Sequence, residues 1–276
     1  MYSDTHFHLP LVSQWIEGFS GSDFFIELCK NNCQFAQDIG TKCDDLPGRM
    51  QFVENAIATM QPERQNQVRK MIHFSAGIWP DTDAICDRVE QMKTLSQHIG
   101  DGSTISAVGE CGIDHHCNPS SVDEMYEGER DLFMMQLALA KKLDKPVIVH
   151  SRDGFEDTLD CIKHMSYDKG VIHCYSYGLE EARAFLDRGW YISFSGSVTY
   201  TKKSKMETME NLIRFIPEDR ILLETDAPYL APVPFRGTPN TPLLVAHTYA
   251  FVAKIRNCPV EELCDLVDQN ARTLFA

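Results

Sequence analysis

Short, nearly continuous apolar runs recur along this chain, separated by longer stretches in which apolar residues return every three or four positions. The first pattern predicts buried strands and the second amphipathic helices. Strands are expected at residues 2–9, 33–39, 71–78, 106–112, 146–150, 171–174, 191–194 and 221–224. Helical spacing marks residues 23–32, and again Met50, Val53, Ile57 and Met60 within the polar stretch 44–70. Pro62 suits the start of a further helix, because its missing N–H costs nothing in a first turn. Leu132, Met135, Leu139 and Leu143 share one expected face, residues 179–188 form a helix stopped by Gly189, and 206–215 form the next. Thr241-Pro242 and Pro259 open two terminal helices.

Strand-helix units in which the strands are apolar throughout favour a parallel sheet covered by helices. About eight units fit, which predicts a (β/α)8 TIM-type barrel with extra C-terminal helices, one domain over residues 1–276. An open doubly wound sheet should carry a glycine-rich phosphate loop after its first strand. His6-Phe7-His8 stands there instead.

Composition narrows the class. A net charge of -14 argues against a broad basic surface for gripping long nucleic acid. No apolar run approaches the ~20 residues of a membrane span, and no basic-then-apolar leader opens the chain. The 10 cysteines are scattered, without paired C-x-x-C spacing, and read as reduced thiols of a cytoplasmic protein.

The candidate chemistry sits at strand ends. Strand side chains alternate faces, so His6 and His8 point the same way. Glu110, His150, His173 and Asp226 close four later strands. In a barrel, the carboxyl ends of all strands meet on one rim, where catalytic residues collect. Singly, a strand-end histidine caps a loop and an acid is solvated; jointly, four histidines and two carboxylates call for a cation. Nitrogen and oxygen donors suit zinc, manganese, iron or cobalt, with magnesium at a more oxygen-rich position. His73, by contrast, reads as a packed or surface histidine.

Longer motifs surround these residues: Asp4-Thr5-His6-Phe7-His8, Gly109-Glu110-Cys111-Gly112-Ile113-Asp114, residues 146–153, Ile172-His173-Cys174-Tyr175-Ser176, residues 223–230, and Pro234-Phe235-Arg236-Gly237 with Asn240 and Pro242. In these the chain resembles the TatD-type metal-dependent hydrolases, over the first ten residues and nearly everything after residue 70. Residues 11–70 match poorly. The resemblance implies two divalent metal ions: His6, His8 and Asp226 on one, His150 and His173 on the other, and Glu110 bridging. Cations ~3.5–4 Å apart can clamp both the attacking and the leaving oxygen of a displacement. Asp226 would take the proton of the attacking water or orient it, with Glu110 as its catalytic partner. Glu224 reads as a support for a ligand histidine.

One position departs from the family pattern. Where an arginine is expected after the Gly-x-Asp segment, Asp114-His115-His116-Cys117 places a cysteine, which removes one forked phosphate donor. His115, His116, Arg152, Lys202 and Arg236 are the remaining candidates for substrate contact. The expected activity is metal-dependent hydrolysis of ester bonds, with DNA ends, short oligonucleotides or small phosphodiesters as substrate and no protein partner. The same chemistry also serves amides, esters and lactones, including deacylation of aminoacyl-tRNA. A non-catalytic metal-binding protein is the other alternative.

Overall fold

The computed structural model describes residues 1–118 and 123–275. Among them, eight parallel strands stand in chain order: β1 (Tyr2–Phe7), β2 (Cys33–Asp38), β3 (Ile72–Ala76), β4 (Ala107–Asp114), β5 (Val147–Arg152), β6 (Gly170–Ile172), β7 (Tyr191–Phe194) and β8 (Ile221–Leu223). The seam between β8 and β1 closes just past the last strand. Phe7 bridges Ala227, and the His8 and Asp226 amides donate to the Ala227 and His6 carbonyls at 2.8 and 2.9 Å. The result is the (β/α)8 barrel that the strand-helix alternation predicts.

The helices are α1 (Leu9–Trp15), α2 (Gly21–Lys30), α3 (Leu46–Ile57), α4 (Pro62–Met71), α5 (Thr82–Cys86), α6 (Arg88–Ile99), α7 (Asp123–Leu143), α8 (Phe155–Met165), α9 (Leu179–Leu186), α10 (Met206–Phe215), α11 (Val245–Arg256) and α12 (Val260–Phe275). Pro62 does open α4, and Ser20 caps α2 by accepting the Asp23 amide. Helices α1, α5, α6 and α8 stand where the apolar spacing had marked none. Helix α1 buries only Leu9 and Val12, too few positions for a period to show. Helix α6 buries Met92, Leu95 and Ile99, a helical spacing diluted by charged neighbours.

Two expected faces are rotated. In α7 the fully covered residues include Leu132, Phe133, Gln136, Leu137 and Ala140, while Met135, Leu139 and Leu143 are only half-buried. Gln136 is inside because its amide closes both main-chain groups of Ile78, at 2.8 and 2.9 Å. In α3 the buried side includes Arg49 rather than Met50. Its guanidinium meets Asp38 and Asp45 at 3.0 Å each, an arrangement that satisfies a buried cation. His73 packs flat on Phe35, ring centroids 4.3 Å apart, away from any acid cluster, as read.

Candidate metal centre

The strand ends converge on one rim and bring six side chains together: His6, His8, Glu110, His150, His173 and Asp226. Each is placed by its own local reason. His6 and His8 share the inward face of β1 and its extension, with Nε2 atoms 3.4 Å apart. His8 Nδ1–H donates to the Ile39 carbonyl at 3.4 Å, which leaves Nε2 free to face the rim. Asp226 follows β8 in a left-handed conformation, φ 57°, and its amide is tied to β1 at His6.

Glu110 sits at an irregularity in β4. Between Val108 and Cys111 the strand advances three residues while β5 advances two, a bulge of the kind that re-aims a side chain beside an active site. Gly112, at φ 147°, explains the second glycine of the motif: any Cβ there would run into the His150 carbonyl.

The geometry around Glu110 is two-sided. Oε2 lies 3.3 Å from His6 Nε2 and 3.6 Å from His8 Nε2. Oε1 lies 3.0 Å from both His150 Nδ1 and His173 Nε2. One carboxylate therefore faces two imidazole pairs, one pair per oxygen. Asp226 Oδ1 completes the first side, at 3.5 Å from His8 Nε2 and 3.8 Å from His6 Nε2. Within the second pair, His150 Nδ1 and His173 Nε2 are 3.3 Å apart. His6 and His173 stack face to face at 3.9 Å across the divide.

Supports lie behind the cluster. Asp114 Oδ2 accepts a hydrogen bond from His150 Nε2–H at 2.9 Å, and Glu224 Oε1 lies 3.4 Å from His173 Nδ1. Glu224 is itself pinned by the Cys174 amide at 2.7 Å and the Ser193 hydroxyl at 2.5 Å. Glu224 stands where a support for a ligand histidine is expected; Asp114 is one that the strand-end pattern misses, because that pattern ends β4 at Gly112. The strand runs two residues further, pairing Asp114 with Arg152 and carrying its carboxylate to His150. Its signal was present: a second acid four residues after Glu110.

Electrostatics inside the cluster follow from packing opposite charges in a dry place. Burial pushes Glu110 upward, yet the His173 charge and hydrogen bonds from His150, His173 and His6 hold it well below the usual carboxylate range. Burial likewise raises Asp226, but the His8 hydrogen bond and neighbouring imidazoles bring it down. Asp114 is desolvated too, and His150 and the Cys117 amide carry it down to about 2. Burial lowers His8, His150 and His173, but the carboxylates outweigh it and raise all three. His6 goes down, through burial first and the His173 charge second.

Two groups in this cluster have donor atoms within 4.8 Å of one another: His6, His8 and Asp226, and His6, Glu110 and His173. The donor set fits a cation. Imidazole nitrogens converge at 3.3–3.4 Å on one another beside two carboxylates, the nitrogen and oxygen donors that a divalent metal takes. The buried Nδ1 of His6 and of His173 have no hydrogen-bond partner, so neither ring is fixed by a strong bond behind it.

Two predictions arise here. Because His8, His150 and His173 hold protons readily, metal loading should release protons, and affinity should fall as pH is lowered. Calorimetry in two buffers of different ionisation enthalpy reads this directly; zero net protons released at neutral pH would contradict it. Asp114→Asn should weaken metal affinity or activity about 10- to 100-fold, as losing such a support does. An unchanged metal titration would remove Asp114 from that role.

The substrate-contact candidates do not share one place. Arg152, Lys202 and Arg236 are exposed, Arg236 lying 4.5 Å over the Tyr200 ring. His116 is exposed beside Asp153, at 3.8 Å. His115 turns away from the six-residue cluster. It lies 3.7 Å from Glu129 and 3.6 Å from Asp157 and lines a separate polar cleft with Tyr126 and Tyr177. Cys117 is exposed, its amide capped by Asp114 at 2.9 Å.

A parallel barrel with this rim defines the class of metal-dependent hydrolases. A family model described as TatD related DNase matches residues 3–276, and the chain belongs to that family. It is similar to the uncharacterized metal-dependent hydrolase YcfH of Escherichia coli (strain K12), 32% identical over 274 residues, covering 99% of this chain and 94% of the relative. The 3'-5' ssDNA/RNA exonuclease TatD of Rahnella sp. (strain Y9602) is 36% identical over 178 residues, 62% of this chain and 65% of that protein. Among solved structures, YJJV, a TatD homologue from Escherichia coli K12, superposes with a TM-score of 0.80 at 27% identity, covering 99% of this chain and 97% of that one. No helix among the described residues is long and apolar enough to cross a membrane.

Proposed function

We propose that this metal-dependent hydrolase is a phosphodiesterase with a two-cation centre, acting on free ends of DNA or RNA strands and on short oligonucleotides. The observation that carries the reading is Glu110, which offers one oxygen to His6 and His8 and the other to His150 and His173. A carboxylate in that position would hold two cations together and offset their mutual repulsion. His6, His8 and Asp226 would hold one, and His150 and His173 the other. Bound cations supply the charge that acidifies water and stabilises a phosphoryl group in displacement.

The chain's own residues do the rest. Asp226 is kept ionised by His8 and accepts the proton of the attacking water. Asp114 orients His150 through its hydrogen bond, Glu224 sets a carboxylate 3.4 Å behind His173, and both rings present a nitrogen to Glu110. A cytoplasmic setting belongs to this reading, since the ten cysteines stand as free thiols.

The substrate follows from two supports. One relative is named as an exonuclease of single-stranded DNA and RNA. The net charge of -14 repels a long polyanion, and binding a long duplex requires neutralising many phosphates at once. Ends and short strands escape that penalty. The test is a side-by-side screen of metal-reconstituted protein on a closed circular duplex, a single-stranded oligonucleotide, a small phosphodiester, an amide, a lactone and an aminoacyl-tRNA. The oligonucleotide and small phosphodiester should be cleaved and the circle spared. Turnover of the amide, lactone or aminoacyl ester alone would replace this reading with another hydrolase.

A further inference from the structure

Two large aromatic side chains stand in the open beside the metal centre, where nothing in the mechanism above uses them. Trp15 is 50% exposed and Tyr229 is 41% exposed, in a chain whose other tryptophans, Trp79 and Trp190, are half-buried and buried. The two rings touch, so they form one exposed aromatic patch rather than two scattered side chains, and a contiguous patch marks a binding surface.

Their positions are set by the same elements that carry the cluster. His8 precedes α1 and Trp15 ends it, seven residues on, so both lie on one helical face two turns apart, about 10 Å along the axis. Tyr229 comes three residues after Asp226, and its amide donates to the Asp226 carbonyl at 2.9 Å. The Tyr229 ring packs edge-on against His8 at 6.4 Å, and Trp15 against Tyr229 at 5.2 Å and 78°. The two rings therefore make a corner, a floor and a perpendicular wall, leading from His8 outward.

From this corner we infer that Trp15 and Tyr229 form a stacking subsite for an unpaired nucleobase next to the phosphodiester under attack. The inference rests on the nuclease reading and adds to it the contact that selects the substrate. A base has a flat face whatever its identity, so stacking holds a strand without reading its sequence. It demands that the base be unstacked from its neighbours and unpaired, which a strand end satisfies and a duplex interior does not. The site thereby compensates for the missing arginine at Cys117: the strand is held by its bases where fewer cations grip its phosphates.

The experiment compares the metal-loaded wild type with Trp15→Ala and Trp15→Phe on two single-stranded pentanucleotides, one fully based and one abasic at its two terminal positions. The wild type should show a KM roughly 5- to 100-fold lower for the based strand, the range that loss of a stacking ring produces. Trp15→Ala should erase that preference with kcat within a few-fold, because the ring touches no reacting atom, and Trp15→Phe should keep most of it. Pentathymidylate should also quench wild-type tryptophan fluorescence more than that of Trp15→Phe. Cleavage of both strands with equal KM, or an undiminished preference in Trp15→Ala, would overturn the subsite and leave the nuclease reading standing. A change of oligomeric state in Trp15→Ala with the preference intact would assign the rings to self-association instead. No cleavage of either strand and no quenching would overturn the nuclease reading and this inference together.

Discussion

Glu110→Gln is expected to lose the paired cations and to reduce turnover about 100- to 1000-fold, while the barrel stays folded. Glutamine keeps the size and the position, so β4 and its bulge are undisturbed. What disappears is the negative charge that faces four imidazoles at 3.0–3.6 Å. Removing one member of a buried charge cluster costs about 3–5 kcal/mol, and every 1.4 kcal/mol is a tenfold change in affinity. With that charge gone, His8, His150 and His173 lose a carboxylate that raised them and can stand neutral, so the loss falls on metal binding more than on folding. Elemental analysis after metal saturation and chelator removal should find two ions per wild-type chain and fewer in the variant. Two ions retained at wild-type affinity would eliminate Glu110 as the bridge. One ion in the wild type would leave a metal hydrolase without the two-cation mechanism.

Asp226→Asn separates chemistry from assembly. The carboxyl lies within 4 Å of both His6 and His8, at the mouth of the cluster, and is more exposed than Glu110. An asparagine there keeps the left-handed backbone, since Asn tolerates positive φ at least as well as Asp. It cannot take a proton from water. Turnover should therefore fall by at least ~100-fold, the lower end for loss of a general base, with cooperative thermal unfolding near that of the wild type. A variant within a few-fold of wild-type turnover, measured at saturating metal, would free Asp226 from the proton-accepting role. Metal affinity measured on the same sample distinguishes loss of the base from loss of a ligand.

The barrel was legible because strand and helix periods differ, and because buried parallel strands such as Val147-Ile148-Val149 are apolar on both faces. The ligand-type residues were legible for a related reason. Polar side chains at the ends of apolar runs are conspicuous, and the barrel topology dictates that all such ends share one rim. His6, His8, Glu110, His150, His173 and Asp226 all stand at such ends, and the structure gathers all six.

What the linear pattern could not contain is direction. His115 and His116 follow Asp114 directly, yet one turns into a cleft against Glu129 and the other into solvent, because the chain leaves the strand after Asp114. Asp114 became a support for His150 only once β4 and β5 ran two residues further in register. Arg49 is buried because Asp38 and Asp45, eleven and four residues away, come to it in space. Trp15 and Tyr229, 214 positions apart by their numbering, meet only because the barrel closes β8 onto β1. Periodicity and strand-end chemistry are local properties, and the sequence by itself determined them. Which side chains turn toward one another across the closed barrel depends on register and closure, and only the tertiary structure decided that.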